Sequence, residues 1–278
     1  MEFGVSIFAT DYSMPVTELA PAVEQRGFDV LLFPEHTHIP TSRRSPWPGG
    51  PNLPQHYWHT LDPFATSTAA ALVTSRLRVG TGICLLVQRD PIITAKEVAT
   101  VDLLSNGRFL FGIGGGWNLE EMEDHGTNPA QRFKVLRERV LAMKRIWTEE
   151  EPEFHGQFVR FEPLWQWPKP VQKPHPPILV GGNGPHVLER VAEYGDVWMP
   201  NHGRGPVEAR MAELQERAAA RGRGPIPVWV FSCPPDPEVV ERYQAAGVAR
   251  CVFGLPSAGA DEVLATLDRL DGLAQRFR

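Results

Sequence analysis

Apolar and polar positions along the chain fall into short continuous apolar runs alternating with longer stretches of helical spacing. The runs are Phe3–Phe8, Phe28–Phe33, Val79–Val87, Phe109–Ile113, Pro177–Val180, Asp196–Met199, Pro227–Phe231 and Arg250–Phe253. A short, unbroken apolar run reads as a strand buried on both faces, the habit of parallel sheets. Between them, spacings near 3.6 residues predict helices over about Val16–Arg26, Asp62–Thr74, Ile92–Leu104, Gln131–Thr148, Pro185–Tyr194, Val207–Arg221, Pro237–Ala246 and Asp261–Leu273. In the first of these, Leu19, Ala22 and Val23 share one face, and Asp62 before Pro63 is a good N-cap for the second. Eight strands and eight helices in strict alternation predict an α/β (β/α)8 TIM barrel. A doubly wound open sheet is the alternative, less natural because no composition break divides the chain. Residues 37–60 and 149–176 break the rhythm and are read as insertions over the C-terminal face; the second contains a hairpin, EFHGQFVRFE, with Gly156 in its turn. The whole of 1–278 is expected to be one domain.

The segment Leu77–Asn118 is the most informative. It reads as strand, crossover helix and second parallel strand, and glycine marks each strand end: Gly80 and Gly82, then Gly112, Gly114, Gly115 and Gly116. The carboxyl ends of parallel strands form the binding face of such folds, and glycine there lets backbone amides approach a ligand. A large planar or phosphorylated ligand is expected.

The length of 278 residues is near the roughly 250 of a single such barrel. A net charge of -5 offers no basic stripe, so nucleic acid is not an expected partner. The three cysteines, Cys84, Cys233 and Cys251, are an odd number and form no disulfide framework. The start, MEFGVSIF, reads directly as a strand rather than as a signal peptide, and no long uncharged apolar run occurs. The expectation is a cytoplasmic protein with no membrane segment.

Candidate chemistry clusters at strand ends. Pro34-Glu35-His36-Thr37-His38 follows the second strand. An imidazole there faces the mouth and suits proton transfer near neutrality; the structural alternative is a histidine bonded to loop backbone. With His56 and His59 nearby, a metal is conceivable, but no known ligand spacing is met and none is expected. Gly112-Ile113-Gly114-Gly115-Gly116-Trp117 is not a dinucleotide fingerprint, because Trp117 stands where G-x-G-x-x-G needs glycine. Trp117 offers a flat apolar wall. Gly181-Gly182-Asn183-Gly184, between a strand and a helix, is an anion cradle or a plain tight turn. Cys84 has no activating neighbour in sequence, and Lys96, Glu97 and Asp102 read as surface or loop pairs.

Taken together these motifs resemble the bacterial luciferase-like flavin and deazaflavin oxidoreductases, most closely the coenzyme F420-dependent branch. The resemblance rests on Arg26-Gly27-Phe28-Asp29 leading to Pro34-Glu35-His36, on Leu77-Arg78-Val79-Gly80-Thr81-Gly82, Arg89-x-Pro91 and Ala95-Lys96. Leu104-Ser105-x-Gly107-Arg108, Gly112-x-Gly114-x-Gly116-Trp117, Ile146-Trp147-Thr148, Gly156 and Gly181-Gly182 complete it, in order, within residues 26–198. The resemblance implies a TIM barrel with its cofactor in the mouth and a homodimer. It also implies catalytic roles for His36 and Glu35, a bulge at Gly82 and Ile83 behind the ring, often with a non-proline cis peptide, and packing of Gly115 and Gly116 against it. Gly181, Gly182, Asn183 and Gly184 would hold the phosphate. One departure stands out: the branch oxidising glucose 6-phosphate has a catalytic Glu where this chain has Trp117. Trp117 therefore points to an apolar or aromatic substrate.

The implied function is hydride transfer between coenzyme F420 and a small organic substrate. The alternatives are an FMN-dependent monooxygenase using reduced FMN and oxygen, and a cofactor-free barrel acting as a binding module.

Overall fold

The computed structural model describes residues 1–278. In chain order its elements begin with β1 (Glu2–Ser6), α1 (Val16–Gln25), β2 (Val30–Phe33), α2 (His56–His59), α3 (Pro63–Leu72), β3 (Arg78–Thr81), α4 (Pro91–Leu104) and β4 (Phe109–Ile113). They continue with α5 (Leu119–Asp124), α6 (Arg132–Thr148), the small hairpin β5 (Phe154–His155) and β6 (Arg160–Phe161), β7 (Ile178–Gly181) and α7 (Val187–Tyr194). The last are β8 (Val197–Met199), α8 (Val207–Ala219), β9 (Trp229–Cys233), α9 (Pro237–Ala245), β10 (Arg250–Gly254) and α10 (Ala260–Ala274).

Eight strands form one parallel sheet in the order β8-β7-β4-β3-β2-β1-β10-β9. The two ends meet through single bridges, Trp198 to Val228 and Asn201 to Phe231, which close the barrel. The first strand pairs with the last, Glu2 with Arg250 through Ser6 with Gly254. The unbroken apolar runs have the expected cause. In β2, Val30 and Leu32 point inward, packing with Leu110, Leu179, Val197, Met199, Trp229 and Val252. Leu31 and Phe33 point outward into the layer between strands and helices. That outer layer holds 59 buried apolar residues against 8 inside the barrel, so the helices anchor the strands and the interior near the mouth is free for a site. Asp62 caps α3, accepting from the amides of Phe64 and Ala65, with Pro63 in the first turn, and Asp90 with Pro91 does the same for α4.

The structure corrects three expectations. The run Val79–Val87 is not one strand: β3 ends at Thr81, the Gly82–Ile83 peptide is cis, Cys84 makes a single bridge to Ile113, and Leu86–Gln88 is a short 3-10 turn. Leu86 and Val87 are apolar because they are buried behind the loop, where Arg139 of α6 donates to the Leu86 carbonyl (2.8 Å). Apolarity recorded burial, not extension. Of the two insertions, residues 37–60 do border the mouth, but 149–176 lies along the barrel's flank. Its contacts run to Glu138 and Ile146 of α6, Ile92, Lys96 and Asp102 of α4, and the Phe109 carbonyl at the start of β4. None of its residues lines the mouth. Finally, α5 was unforeseen, although Asn118 followed by Glu121 is a capping pattern: the Asn118 side chain accepts from the Glu121 amide at 3.2 Å.

Candidate active site

The carboxyl ends of the strands enclose a cavity of about 720 Å³, within the size range of cofactor sites. Its lining includes Glu35, His36, Gly82, Ile83, Gly115, Gly116 and Trp117, and the turn Gly181–Gly184, so the residues expected to serve catalysis, cofactor and substrate border one space.

His36 leaves β2 buried, and its ring is held on both sides. Nδ1 lies 2.7 Å from Glu121 Oε2, and the Trp117 indole N–H donates to Nε2 at 3.3 Å. Glu121, fully buried on α5, also accepts from the Thr37 amide at 3.0 Å. Glu35 is arranged differently. One oxygen accepts from the Leu85 amide (2.6 Å), and the other from Arg89 Nε (2.6 Å). Arg89 in turn reaches Asp62 (2.6 Å) and Glu97 (3.0 Å). Burial would lower the Arg89 pKa, but the carboxylates outweigh it and raise it; the Glu97 carboxyl is raised by burial against the pull of Arg89. Glu35 thus ties the loop after β3 to the start of α4. Cys84, beneath it, is buried, and burial with the nearby Glu35 charge pushes its thiol well up, which leaves it inert.

Ile83 joins the two glycine walls. A side chain at Gly114 would put its Cβ 2.0 Å from Ile83 Cδ1, and one at Gly181 would sit 3.0 Å from Ile83 Cγ2. The absence of those carbons lets one apolar side chain span the floor of the mouth. At the Gly181–Gly184 turn, Gly182 has φ +119, a conformation strained for any L side chain. The Asn183 side chain is already engaged: Nδ2 donates to the Asn201 carbonyl (3.0 Å), and Oδ1 accepts from the Asn201 amide (2.9 Å). Its role is to lock the turn to the end of β8. The backbone amides of Asn183, Gly184 and His186, ahead of α7, donate to nothing within the chain. Three unpaired amides at a helix start are what an anionic group needs.

Two further lining residues, Arg190 and Arg204, escaped the sequence reading, whereas Trp47 and Tyr57, with Trp58, Trp165 and Trp167, were expected from the sequence to line the mouth. Arg190, one turn into α7, makes no hydrogen bond or ion pair; its guanidinium stacks 4.0 Å from the Phe133 ring centroid, and burial lowers its pKa. Arg204 reaches across the mouth to the Pro48 carbonyl (3.2 Å). With Glu35 neutralised by Arg89, Arg190 and Arg204 make the lining positive inside a chain of net charge -5. Trp47 and Tyr57 close the side opposite the glycines. Tyr57 lies 5.2 Å from the His36 ring, 5.7 Å from Trp47 and 6.1 Å from Trp117, and burial raises its hydroxyl pKa. Of the other aromatics in the insertions, Trp58 borders a separate loop cavity of about 550 Å³. Trp165 and Trp167 are 76% and 59% exposed on the flank.

The histidines near His36 do not converge. His38 pairs with Asp124 (3.0 Å), and His59 with Asp11 (2.8 Å). The one trio with ligand atoms within 4.8 Å of one another, Glu153, His155 and Glu162, belongs to the outer hairpin.

A family model described as luciferase-like monooxygenase matches residues 1–260. An uncharacterized protein of Mycobacterium tuberculosis is 40% identical over 275 residues, covering 97% of each chain. An FMNH(2)-dependent dimethylsulfone monooxygenase of Pseudomonas putida is 31% identical over 56% of this chain and 44% of its own. An F420-dependent hydroxymycolic acid dehydrogenase of M. tuberculosis is 28% identical over 74% and 54%. Two solved structures share the fold with a TM-score of 0.78. They are a monooxygenase of Streptomyces bottropensis (22% identity, 99% of both chains) and an F420-dependent secondary alcohol dehydrogenase (18%, 100% of both).

Proposed function

Since the chain belongs to the luciferase-like monooxygenase family, whose members use F420 or a flavin, we propose that it is an F420-dependent oxidoreductase acting on a small organic substrate. The observation carrying this reading is the joining, in one cavity, of a histidine flanked by an apolar wall with a turn of unpaired amides and two arginines that pair with no carboxylate. The residues fit the cofactor. When bound, the deazaflavin supplies hydride chemistry at its ring. Ile83, Gly82, Gly115 and Gly116 would pack against that ring, and the amides of Asn183, Gly184 and His186 would take the phosphate. Gly181 and Gly182 shape the turn. F420 carries carboxylates beyond its phosphodiester, and Arg190 and Arg204 suit an extended anion better than a single terminal phosphate. His36 holds or moves the proton at the reacting atom, and Trp117, Tyr57 and Trp47 exclude water and favour an apolar substrate. Glu35, expected as catalytic, acts here by positioning the ring-backing loop.

FMN-dependent oxygenation is the second reading, favoured by the likeness to the dimethylsulfone monooxygenase. Turnover separates the two. Bleaching of oxidised F420 without oxygen, in the presence of a panel of secondary alcohols, supports the first. Oxygen consumption with reduced FMN, and no reaction with F420, refutes it.

We take residues 1–278 as one domain, because β1 and β10 pair. A homodimer is proposed through the face of α3 and α4. α3 carries no charged residue, and Leu72, Ile93, Leu103 and Leu104 are 65%, 62%, 50% and 48% exposed. An exposed apolar patch can meet a second copy of itself. No helix is long and apolar enough to cross a membrane. The three free, buried cysteines suit the reducing cytoplasm.

A further inference from the structure

We propose that Glu121 is a positioning residue that sets the tautomer of His36; this rests on the reading of His36 as the proton-handling group. An indole N–H can only donate, so the Trp117 bond at 3.3 Å makes His36 Nε2 an acceptor. The single proton of the neutral ring must then sit on Nδ1, donated to Glu121 Oε2 at 2.7 Å. His36 therefore carries a lone pair, not a proton, on Nε2, and the Trp117 indole N–H occupies it.

The charge around the pair shows why the Glu121 carboxylate needs the His36 N–H. Its carboxylate is fully buried and meets no Lys or Arg; its other partners are the amide and hydroxyl of Thr37 (3.0 and 3.4 Å). A buried carboxylate without a cation is costly, and the one group placed to balance it is His36. Proton uptake at Nε2 makes the pair neutral, and it requires the Trp117 indole N–H, which can only donate, to leave that nitrogen. The remaining groups facing the ring do not supply that balance. From the β2 exit, Glu35 is matched by Arg89, and His38 by Asp124. From α2, Tyr57 presents its ring, with His56 stacked 4.9 Å behind it. From α5, His125 reaches only the Thr37 hydroxyl (2.7 Å), and Arg43 lies 5.9 Å from the far ring of Trp117. In the oxidising direction, a substrate hydroxyl displaces the Trp117 N–H from Nε2 and gives it its proton; in the reducing direction, Nε2 returns the proton to the carbonyl oxygen and takes up the Trp117 bond again.

The test is a pH series of long-range 1H–15N imidazole spectra on the cofactor-free protein, with His36→Asn to assign the ring. Expected is an Nδ1-protonated neutral ring in the wild type and a mixture of Nδ1- and Nε2-protonated neutral rings in Glu121→Leu, which offers Nδ1–H no acceptor. Turnover should fall with the loss of the single tautomer, while cofactor affinity changes less than threefold. A neutral ring protonated at Nε2 in the wild type overturns the proposal, and that measurement needs no variant. An unchanged tautomer in a folded Glu121→Leu overturns it too. If the spectra behave as expected but F420 does not bind, the functional reading fails and the dyad stands.

Discussion

At the residue scale the site separates groups that face the cavity from groups that hold others in place. His36 faces it, and His36→Asn should lower kcat by about 10²–10⁴, the span of general acid–base catalysis, while the dissociation constant for the cofactor moves little. Stopped-flow hydride transfer together with equilibrium titration checks both; an unchanged rate would remove His36 from the chemistry. Glu35 and Arg89 are a buried pair with side chains 2% and 14% exposed. Glu35→Gln leaves Arg89 uncompensated on that side and should cost about 3 kcal/mol of stability, read by denaturant unfolding. Loss of activity without loss of stability would return Glu35 to a direct chemical role. Sequence pointed to His36, Trp117 and the glycines because strand ends are where this architecture builds sites. It did not reveal Glu121 or Arg190, whose meaning comes from contacts 85 residues away across the barrel or from a missing partner.

At the element scale the short helix α5 braces the mouth loop. Glu120 accepts from the Ser45 amide (2.9 and 3.1 Å) and hydroxyl, while Glu121 holds His36 and Thr37. Burial pushes the Glu120 carboxyl up, but the Ser45 bonds outweigh it and hold it at about 2. With an unfolded value near 4.3, ionised Glu120 stabilises the fold fully above about pH 4.3, and that contribution disappears as pH falls through about 2. The melting-temperature gap between wild type and Glu120→Gln should therefore be widest at neutral pH and close in acid; a constant gap would show that the charge plays no part. At the other wall, Gly182→Ala imposes φ +119 on a side chain and should weaken cofactor binding about tenfold, of the order of local backbone strain. Regular elements were legible wherever period and capping agreed, as in α3 and α4. The misread run Val79–Val87 and the misplaced segment 149–176 share one cause: composition reports burial, but not whether the burying neighbour is a strand, a helix flank or the mouth.

At the scale of the whole molecule, eight strand–helix repeats, closed by bridges between the ends of the sheet, place the glycine turns that line the cavity on one rim. The exposed apolar face of α3 and α4 lies on the outside of that ring. If it is a dimer interface, the double variant Leu72→Glu, Leu104→Glu should sediment as a monomer where the wild type sediments as a dimer, and a wild-type monomer would discard the interface. The account as a whole stands on the identity of the ligand in the mouth. Calorimetric titration of the purified protein with oxidised F420 and, separately, with FMN tests it most directly. Expected is saturable one-to-one binding of F420, with a rise in melting temperature that follows ligand concentration and is weakened in Arg190→Ala. Tight binding of FMN with no binding of F420, or no binding of either, would contradict it.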